Sequence, residues 1–467
     1  MKIRLTFALL AAKITAFVSQ RFGWKGSSLP GMIARRIYPG VLRDLAGQAR
    51  QGVIMVTGTN GKTTTNNMIA SVLQAAGFNI VINQEGANLI TGVTTAFIKK
   101  ATWYGRIDTD IALLEVDEAS LPRVIKEVKP KIVVVNNFFR DQLDRYGELD
   151  TTVRLVKQAL KSTKDVHLVL NADDPLVAQL QLGTGHKATF FGMADQQRTE
   201  VGSKQTRESR FCPDCGMELV YDYYQYSQLG SYHCSGCGFK RPNPDVLAYD
   251  TDTLGIAVRC RVRYSEGDAV ISINTQGYYN LYNALAAFAV GTLLKVDPET
   301  SLRGLAQYKP GIGRMEKFYY QEKPVFLNLV KNPTGFNEGL VTALNISGSK
   351  NVFMAINDND ADGRDISWLW DVDFEYLAEQ HQRVNSFVCS GLRAEEMALR
   401  LKYSGIPTDK IKVVNDMEEA VRETLDGAGE LAYLFSTYTA LWPTQKILLG
   451  LAKKEDPVDV EGMPSVS

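Results

Sequence analysis

Several things are scarce in this sequence. Among 467 residues there are six cysteines and four histidines. At that length six cysteines are too few for a fold held together by disulfides. Neither sign of charge is in excess, with Lys+Arg and Asp+Glu at 52 each. A broad electrostatic grip on nucleic acid, which needs a clustered basic excess, is therefore not indicated. No apolar run approaches the ~20 residues that cross a bilayer. Low-complexity tracts and internal repeats are missing too. What is there, 45% hydrophobic and 22% charged residues, is the composition of ordinary globular domains. At roughly 150 residues per domain, the length allows about three domains with real cores.

Residues 2–22 combine a basic start with an apolar stretch. Lys13 interrupts that stretch and no small-residue cleavage site follows, so a signal peptide is disfavoured. Leu5, Leu9, Ala12 and Phe17 read as one face of an amphipathic helix packed on the protein's own core, with a membrane-surface role left open.

From about residue 50, strand-length apolar runs (Val53–Thr57, Ile111–Val116, Ile132–Val135, Val166–Leu170) alternate with helix-length segments at 63–76, 119–128 and 151–162. This predicts a mostly parallel sheet covered by helices. The polar, Tyr-rich stretch 196–245 interrupts the alternation. Short alternating segments at 246–275 predict antiparallel strands, and a helix follows at about 279–294. After the hinge-like KPGIGR (309–314), runs at 325–330, 352–356, 386–389, 411–414 and 431–435 predict a second α/β domain. The expected division is an N-terminal helical extension (1–48), a nucleotide-binding domain (49–314) with an insert at about 205–243, a C-terminal α/β domain (315–455) and a tail (456–467).

The strongest motif is the strand–turn–helix around Gly58-Thr59-Asn60-Gly61-Lys62-Thr63-Thr64. Glycines let successive backbone N–H groups converge on one anion, and a helix N-terminus adds partial positive charge. Lys62 can reach the β/γ-phosphates of ATP, and the Thr63 hydroxyl can bind Mg²⁺. Strict Walker spacing would place Gly at Val56; the glycine is at 58 instead. The run IALLEVDE puts Glu115, Asp117 and Glu118 at a strand end. Alternation predicts Glu115 and Asp117 on one face, as candidate Mg²⁺ ligands.

Cys212, Cys215, Cys234 and Cys237 form a CxxC–x18–CxxC pair, each half followed by Gly. That spacing suits a structural tetrahedral Zn²⁺ site, with all four positions filled by protein. The segment lacks a dense basic patch, so nucleic-acid binding by this ribbon is the weaker reading.

GTNGKTT followed by Glu115 resembles the Mur ligase superfamily, the ATP-dependent ligases of peptidoglycan stem peptides and folylpolyglutamate. Asn137-Phe-Phe-Arg-Asp141-Gln142-Leu-Asp144-Arg145-Tyr146-Gly147 is similar to the family's next segment, with Gln142 in place of the usual metal-binding His. Asn171-Ala-Asp173-Asp174-Pro175 matches NADDP, and Gly277-Tyr-Tyr279-Asn280-Leu-Tyr-Asn283 matches G-x-H-N-x-x-N with Tyr279 for His. Gly313-Arg314-Met-Glu316 resembles the hinge element, and Asn328-Leu-Val-Lys331-Asn332-Pro333 resembles D-Y-A-H-N-P. The resemblance implies a P-loop Mur ligase central domain with an inserted four-cysteine zinc ribbon and a C-terminal Rossmann-like α/β domain. It implies Asn283 near the adenine, Arg314 and Lys331 near the phosphates, and Lys157 at the position of a carbamoylated lysine.

Only about 50 residues precede the phosphate loop, too few for the superfamily's UDP-sugar domain, which suggests a lipid-linked substrate. Together with the four-cysteine insert and Asn357-Asp358-Asn359-Asp360-Ala-Asp362-Gly363-Arg364-Asp365-Ile-Ser-Trp368, this resembles the ligase-type subunits that amidate lipid II beside a GatD-like glutaminase. The implied reaction converts the D-glutamate α-carboxylate of the stem peptide to D-isoglutamine through an acyl phosphate, in the cytoplasm, at the membrane face where the substrate lies. Cys260 and Cys389 form no nucleophile motif with His167, His186, His233 or His381, so the glutaminase belongs on a partner chain. The resemblance implies that an Asp here completes the partner's Cys–His pair. Asp365 is the candidate by motif position, with Asp358, Asp360 and Asp362 as rivals. Two alternatives stand beside this reading: an amino-acid-adding Mur or folylpolyglutamate-type ligase, and a nucleotide-sensing scaffold.

Overall fold

Strand segments that are apolar on both faces must be covered on both sides. The computed structural model describes residues 2–21, 26–83, 86–141, 149–194, 208–252 and 257–455. The stretch from Gln142 to Gly147, positions 205–207 and the tail 456–467 lie outside the described residues. The first strands are β1 (Gly52–Thr57), β2 (Ile80–Ile82), β3 (Ile111–Glu115), β4 (Ile132–Val135), β5 (His167–Asn171) and β6 (Lys187–Met193). A separate hairpin, β7 (Val220–Tyr226) and β8 (Leu229–His233), precedes β9 (Val246–Asp252), β10 (Val258–Tyr264) and β11 (Gly267–Ile273). Nine strands form one sheet in the order β11-β10-β9-β6-β5-β4-β1-β3-β2. Neighbours from β2 through β9 run parallel, and β10 is antiparallel to β9 and β11. The segment 246–275 is therefore not wholly antiparallel. Its first strand extends the parallel sheet beside β6, because the chain returns from the β7–β8 excursion to the same end.

From β1 the chain runs to β2 and β3 on one side and to β4 on the other. The C-terminal end of β1 is thus a topological switch point, where open α/β sheets bind ligands. One sheet face is covered by α1 (Lys2–Arg21), α2 (Leu29–Ile37), α3 (Val41–Ala46), α5 (Ile90–Lys100), α6 (Leu121–Val128) and the helix Leu149–Lys161. The other is covered by α4 (Lys62–Ala75) and the helices Tyr279–Leu293 and Pro298–Ala306. In α1, Leu9 and Ala12 are buried and Leu5 half-buried, but Phe17 is 71% exposed. The expected core face was drawn one residue too wide. Phe17 follows Ala12 by five positions, a rotation of roughly 140° around the helix.

The second sheet has the order β16-β15-β14-β17-β13-β12-β18, from β12 (Arg314–Tyr320), β13 (Lys323–Leu329), β14 (Lys350–Ala355), β15 (Val384–Ser390), β16 (Ile411–Val413), β17 (Leu431–Ser436) and β18 (Lys453–Lys454). Its strands are parallel from β16 to β13, with β12 and β18 added antiparallel. Separate apolar clusters cover its two faces. Where the chain enters it, Gly313 and Met315 take φ of +67° and +60°, and a bulge lies between Arg314 and Glu316. The buried Glu316 carboxylate secures this bend. It accepts from the Gly313 amide at 2.9 Å, Gln445 at 2.8 Å and Lys454 at 2.6 Å. No helix among the described residues is long and apolar enough to cross a membrane.

Candidate functional site

β1 ends at Thr57 and α4 begins at Lys62, so the phosphate turn is Gly58–Gly61. Gly58 and Gly61 adopt φ of +122° and +79°. A Cβ on Gly61 would lie 2.2 Å from Asn283 Oδ1, and one on Gly58 2.9 Å from the Asn137 carbonyl oxygen. Conformation and crowding together therefore require glycine at both positions. Val56 is a buried residue of β1, not part of the turn.

The buried Lys62 ammonium donates to the Gly58 carbonyl at 2.6 Å and to Glu118 Oε2 at 3.0 Å. Burial alone would lower its pKa. The carboxylates of Glu118, Asp117, Asp141 and Glu115 outweigh burial and hold it above the ordinary lysine value. Glu115, Asp117 and Glu118 are all buried, not a solvated loop. β3 stops at Glu115, so strand alternation does not extend to Asp117. Asp117 Oδ1 instead accepts the Ala119 amide at 3.0 Å. Glu118, not Asp117, faces Lys62. Glu115 is fixed through its backbone, which exchanges two bonds with the Asn83 side chain at 2.8 and 2.9 Å.

A web of amides fixes the turn. Asn136 and Asn137 extend from the end of β4, the neighbour of β1. Asn137 Oδ1 accepts the Asn60 amide at 2.8 Å, and Asn136 Nδ2 donates to Thr65 Oγ1 at 2.9 Å. The Thr65 hydroxyl donates to Asn283 Oδ1 at 3.0 Å, and Asn283 Nδ2 donates to Asn280 at 3.0 Å. The second domain closes on this turn. Arg314 Nη2 lies 3.5 Å from Thr63 Oγ1. Lys331 Nζ donates to Asp141 Oδ2 at 2.7 Å and to the Thr59 carbonyl at 3.3 Å. Asn60 and Asn332 donate to each other at 3.3 and 2.9 Å, while Asn332 Oδ1 also caps the helix Pro333–Asn345. Gly61, Thr64, Tyr279, Asn283, Arg314 and Lys331 thus line one cleft between the domains. Lys157 is not gathered in. Its ammonium donates to Gln179 at 3.3 Å, and burial and then Lys161 lower its pKa. Gln142 lies outside the described residues.

The four cysteines converge, with every Sγ within 4.8 Å of the others. Cys212 and Cys237 are 3.6 Å apart and Cys215 and Cys234 3.4 Å. A tetrahedron with ~2.3 Å Zn–S bonds has sulfurs about 3.8 Å apart, so the donor set fits Zn²⁺. Gly216 and Gly238, just after each pair, share a φ of +78°. The Cys237 and Gly236 amides lower the Cys234 thiol to about 7. Cys212, Cys234 and Tyr232 belong to the apolar cluster on the main sheet. The hairpin tip braces the cleft. Gln228 donates to the Phe138 carbonyl at 2.6 Å, Gly230 to the Asp173 carbonyl at 2.9 Å, and Tyr226 joins the cleft wall.

In the C-terminal acidic run, Asp362 is buried and accepts from the Thr439 amide at 2.7 Å. Asp358 is held by Arg393 at 2.6 Å, which keeps its carboxyl below the usual range, and Asp360 pairs with Arg364 at 2.8 Å. Half-buried Asp365 accepts a local bond from the Ser367 amide at 2.8 Å. Sequence reasoning missed Glu118 as the partner of Lys62, the Asp141–Lys331 pair, the Asn60–Asn332 pair and the ribbon tip. The paired Asn136-Asn137 at the end of the strand beside β1 was a usable signal.

A phosphate turn at the switch point of a parallel sheet, closed by a hinged second α/β domain, is the architecture of a Mur ligase. The chain resembles a pseudomurein peptide ligase type C from Methanothermus fervidus (TM-score 0.65, 24% identity, covering 87% of this chain and 80% of that one). It also resembles a Mycobacterium tuberculosis folylpolyglutamate synthase (TM-score 0.61, 13% identity, 89% and 96% covered). Residues 56–226 match the Mur ligase middle domain and residues 329–441 the MurT ligase C-terminal domain. A relative from Staphylococcus aureus strain N315, "Lipid II isoglutaminyl synthase (glutamine-hydrolyzing) subunit MurT", is 39% identical over 93% of this chain and 96% of its own length. The Streptococcus pneumoniae protein of the same name is 33% identical over 96% of this chain and 98% of its own. The chain belongs to the MurT family of Mur ligases.

Proposed function

We propose that this protein is the ligase subunit of a lipid II isoglutaminyl synthase, amidating the D-glutamate α-carboxylate of the stem peptide at the expense of ATP. Two facts together carry the reading: a phosphate turn meets cations of a second domain in one cleft, and relatives along nearly the whole chain bear that name. A carboxylate is a poor electrophile, and phosphorylation by ATP makes it an acyl phosphate. Such transfer needs alignment and charge neutralisation more than covalent help. The amides of Gly58–Lys62 cradle phosphate oxygens, Lys62 and Lys331 offset their charge, and Asn283 seats the base. Arg314 reaches the phosphates as the domains close. Thr63 and Glu115 would hold Mg²⁺, which neutralises the β- and γ-phosphates when bound. Ammonia then displaces the phosphate of the acyl phosphate to give the amide.

The ammonia comes from a GatD-like glutaminase, a partner chain in the cytoplasm. Asp365 orients that partner's catalytic His; its rivals Asp358, Asp360 and Asp362 are engaged by Arg393, Arg364 and Thr439. The four-cysteine site holds a structural Zn²⁺ that keeps the ribbon tip against the cleft. The test is amidation of lipid II with ATP, Mg²⁺ and ammonium, without the partner, read by mass spectrometry as a loss of about 1 Da. No amide formed in step with ATP use would reject the reading. Asp365→Asn is expected to spare ammonium-driven turnover and abolish glutamine-driven turnover with the partner present. Equal loss of both would remove Asp365 from the partner's triad.

A further inference from the structure

The first 43 residues contain eight Lys or Arg and no Asp or Glu, while the chain as a whole is neutral. The basic charge is concentrated at one end, and the remainder carries an equal excess of acid. Within this basic segment α1 has two apolar faces. One, through Ala8, Leu9 and Ala12, is buried against the body, where the loop at Gly105 meets Leu5 and Leu9. The other consists of Ile3, Phe7, Leu10, Ile14, Phe17 and Val18, 41–74% exposed. These positions recur every three or four residues and so form one stripe along the outer side of the helix. Arg4 and Arg21 are exposed near its two ends. Lys13 lies 5.4 Å from the Trp103 ring centroid, and the exposed pair Trp103–Tyr104 sits beside the helix.

We infer that α1 lies in the surface of an anionic bilayer, with this stripe among the acyl chains and its cations at the headgroups. An apolar stripe on a helix that carries no acidic residue, flanked by arginine, lysine and interfacial aromatics, is the chemistry of an interfacial helix. Charge selects the occupant. A second copy would set two acid-free basic segments against each other, while anionic lipid neutralises them. The helix lies on the membrane and does not span it, since it lacks the hydropathy of a spanning helix. Packing of the opposite face on α2 and α5 fixes the depth of the stripe. The rest of the protein, with its acidic excess, stays in water.

The test is flotation of the full chain with vesicles of phosphatidylglycerol and phosphatidylcholine, beside vesicles of phosphatidylcholine alone. The native protein floats with the anionic vesicles, and high salt releases it. Phe7→Asp/Phe17→Asp changes only exposed positions. It should retain native nucleotide affinity and circular dichroism, and lose vesicle binding by about tenfold or more. Arg4→Glu/Arg21→Glu should abolish the preference for anionic lipid. The inference is overturned if the native chain ignores both vesicle types, if the Phe pair binds as the native chain does, or if light scattering shows a native dimer that the Phe pair splits. Amidation of a water-soluble substrate analogue does not depend on the stripe. Failed flotation with intact amidation would therefore refute this inference and leave the ligase reading standing.

Discussion

Replacing Gly61 by alanine puts the geometry of the phosphate turn to a quantitative test. At φ +79°, an alanine costs about 1–2 kcal/mol of backbone strain. Its Cβ would arrive 2.2 Å from Asn283 Oδ1, so Asn283 must swing away. That movement breaks 3.0 Å bonds to Thr65 and Asn280, each worth about 1 kcal/mol and more where a buried group is left unpaired. The expected destabilisation is about 3–5 kcal/mol. The turn's amides are also misdirected, so ATP affinity should fall by about 100-fold or more, equivalent to about 2.7 kcal/mol. Urea unfolding and calorimetric titration with a non-hydrolysable ATP analogue measure the two effects. Asn283→Ala removes the colliding oxygen and loses the same bonds by itself. The double variant should therefore cost about 2–3 kcal/mol less than the sum of the singles, the shared loss of those bonds. Native stability and native nucleotide affinity in Gly61→Ala, or strict additivity in the double variant, would refute the crowding argument.

Glu118→Gln leaves the buried Lys62 without its ion partner and should cost about 3 kcal/mol of stability. Added ATP should raise its melting temperature more than that of the native chain, because phosphate replaces the lost anion; equal shifts would contradict this. Metal analysis should find one zinc per chain. Cys212→Ser/Cys234→Ser should lose it and weaken ATP binding by about tenfold, because Tyr226 and Gln228 no longer brace the cleft. Unchanged binding would separate ribbon from cleft. Glu316→Ala strips partners from the Gly313 amide and Gln445 and should destabilise the second domain by about 2–4 kcal/mol. Glu316→Gln should restore part of that in the same denaturation assay.

The parts that were legible in the sequence share one property: local patterns encode them. β1, the Gly58–Gly61 turn and α4 follow each other without interruption, so strand, glycines and helix start reinforce one reading. The Cys spacing carries its knuckles in the same way. Both α/β sheets announce themselves through apolar runs close to the observed strands. Contacts between distant segments were hidden. Asn60 and Asn332 meet across 272 positions, and no local pattern tells an amide which partner it will face. Glu118 escaped because alternation was carried beyond Glu115, where the strand ends. Phe17 was misassigned because an apolar residue at helical spacing was taken for a core residue, although α1 is apolar on two sides.

The Asn60–Asn332 clasp has a consequence for how the halves of the molecule communicate. It is built from neutral amides, so neither acidity nor ionic strength loosens it directly. Each amide gives and takes one hydrogen bond. A phosphate oxygen can only take, so an arriving triphosphate can accept N–H groups of both side chains, while Asn332 Oδ1 keeps the Gly335 amide. N–H groups from both halves therefore stand at the turn, so a bound triphosphate and the closed arrangement of the domains support each other.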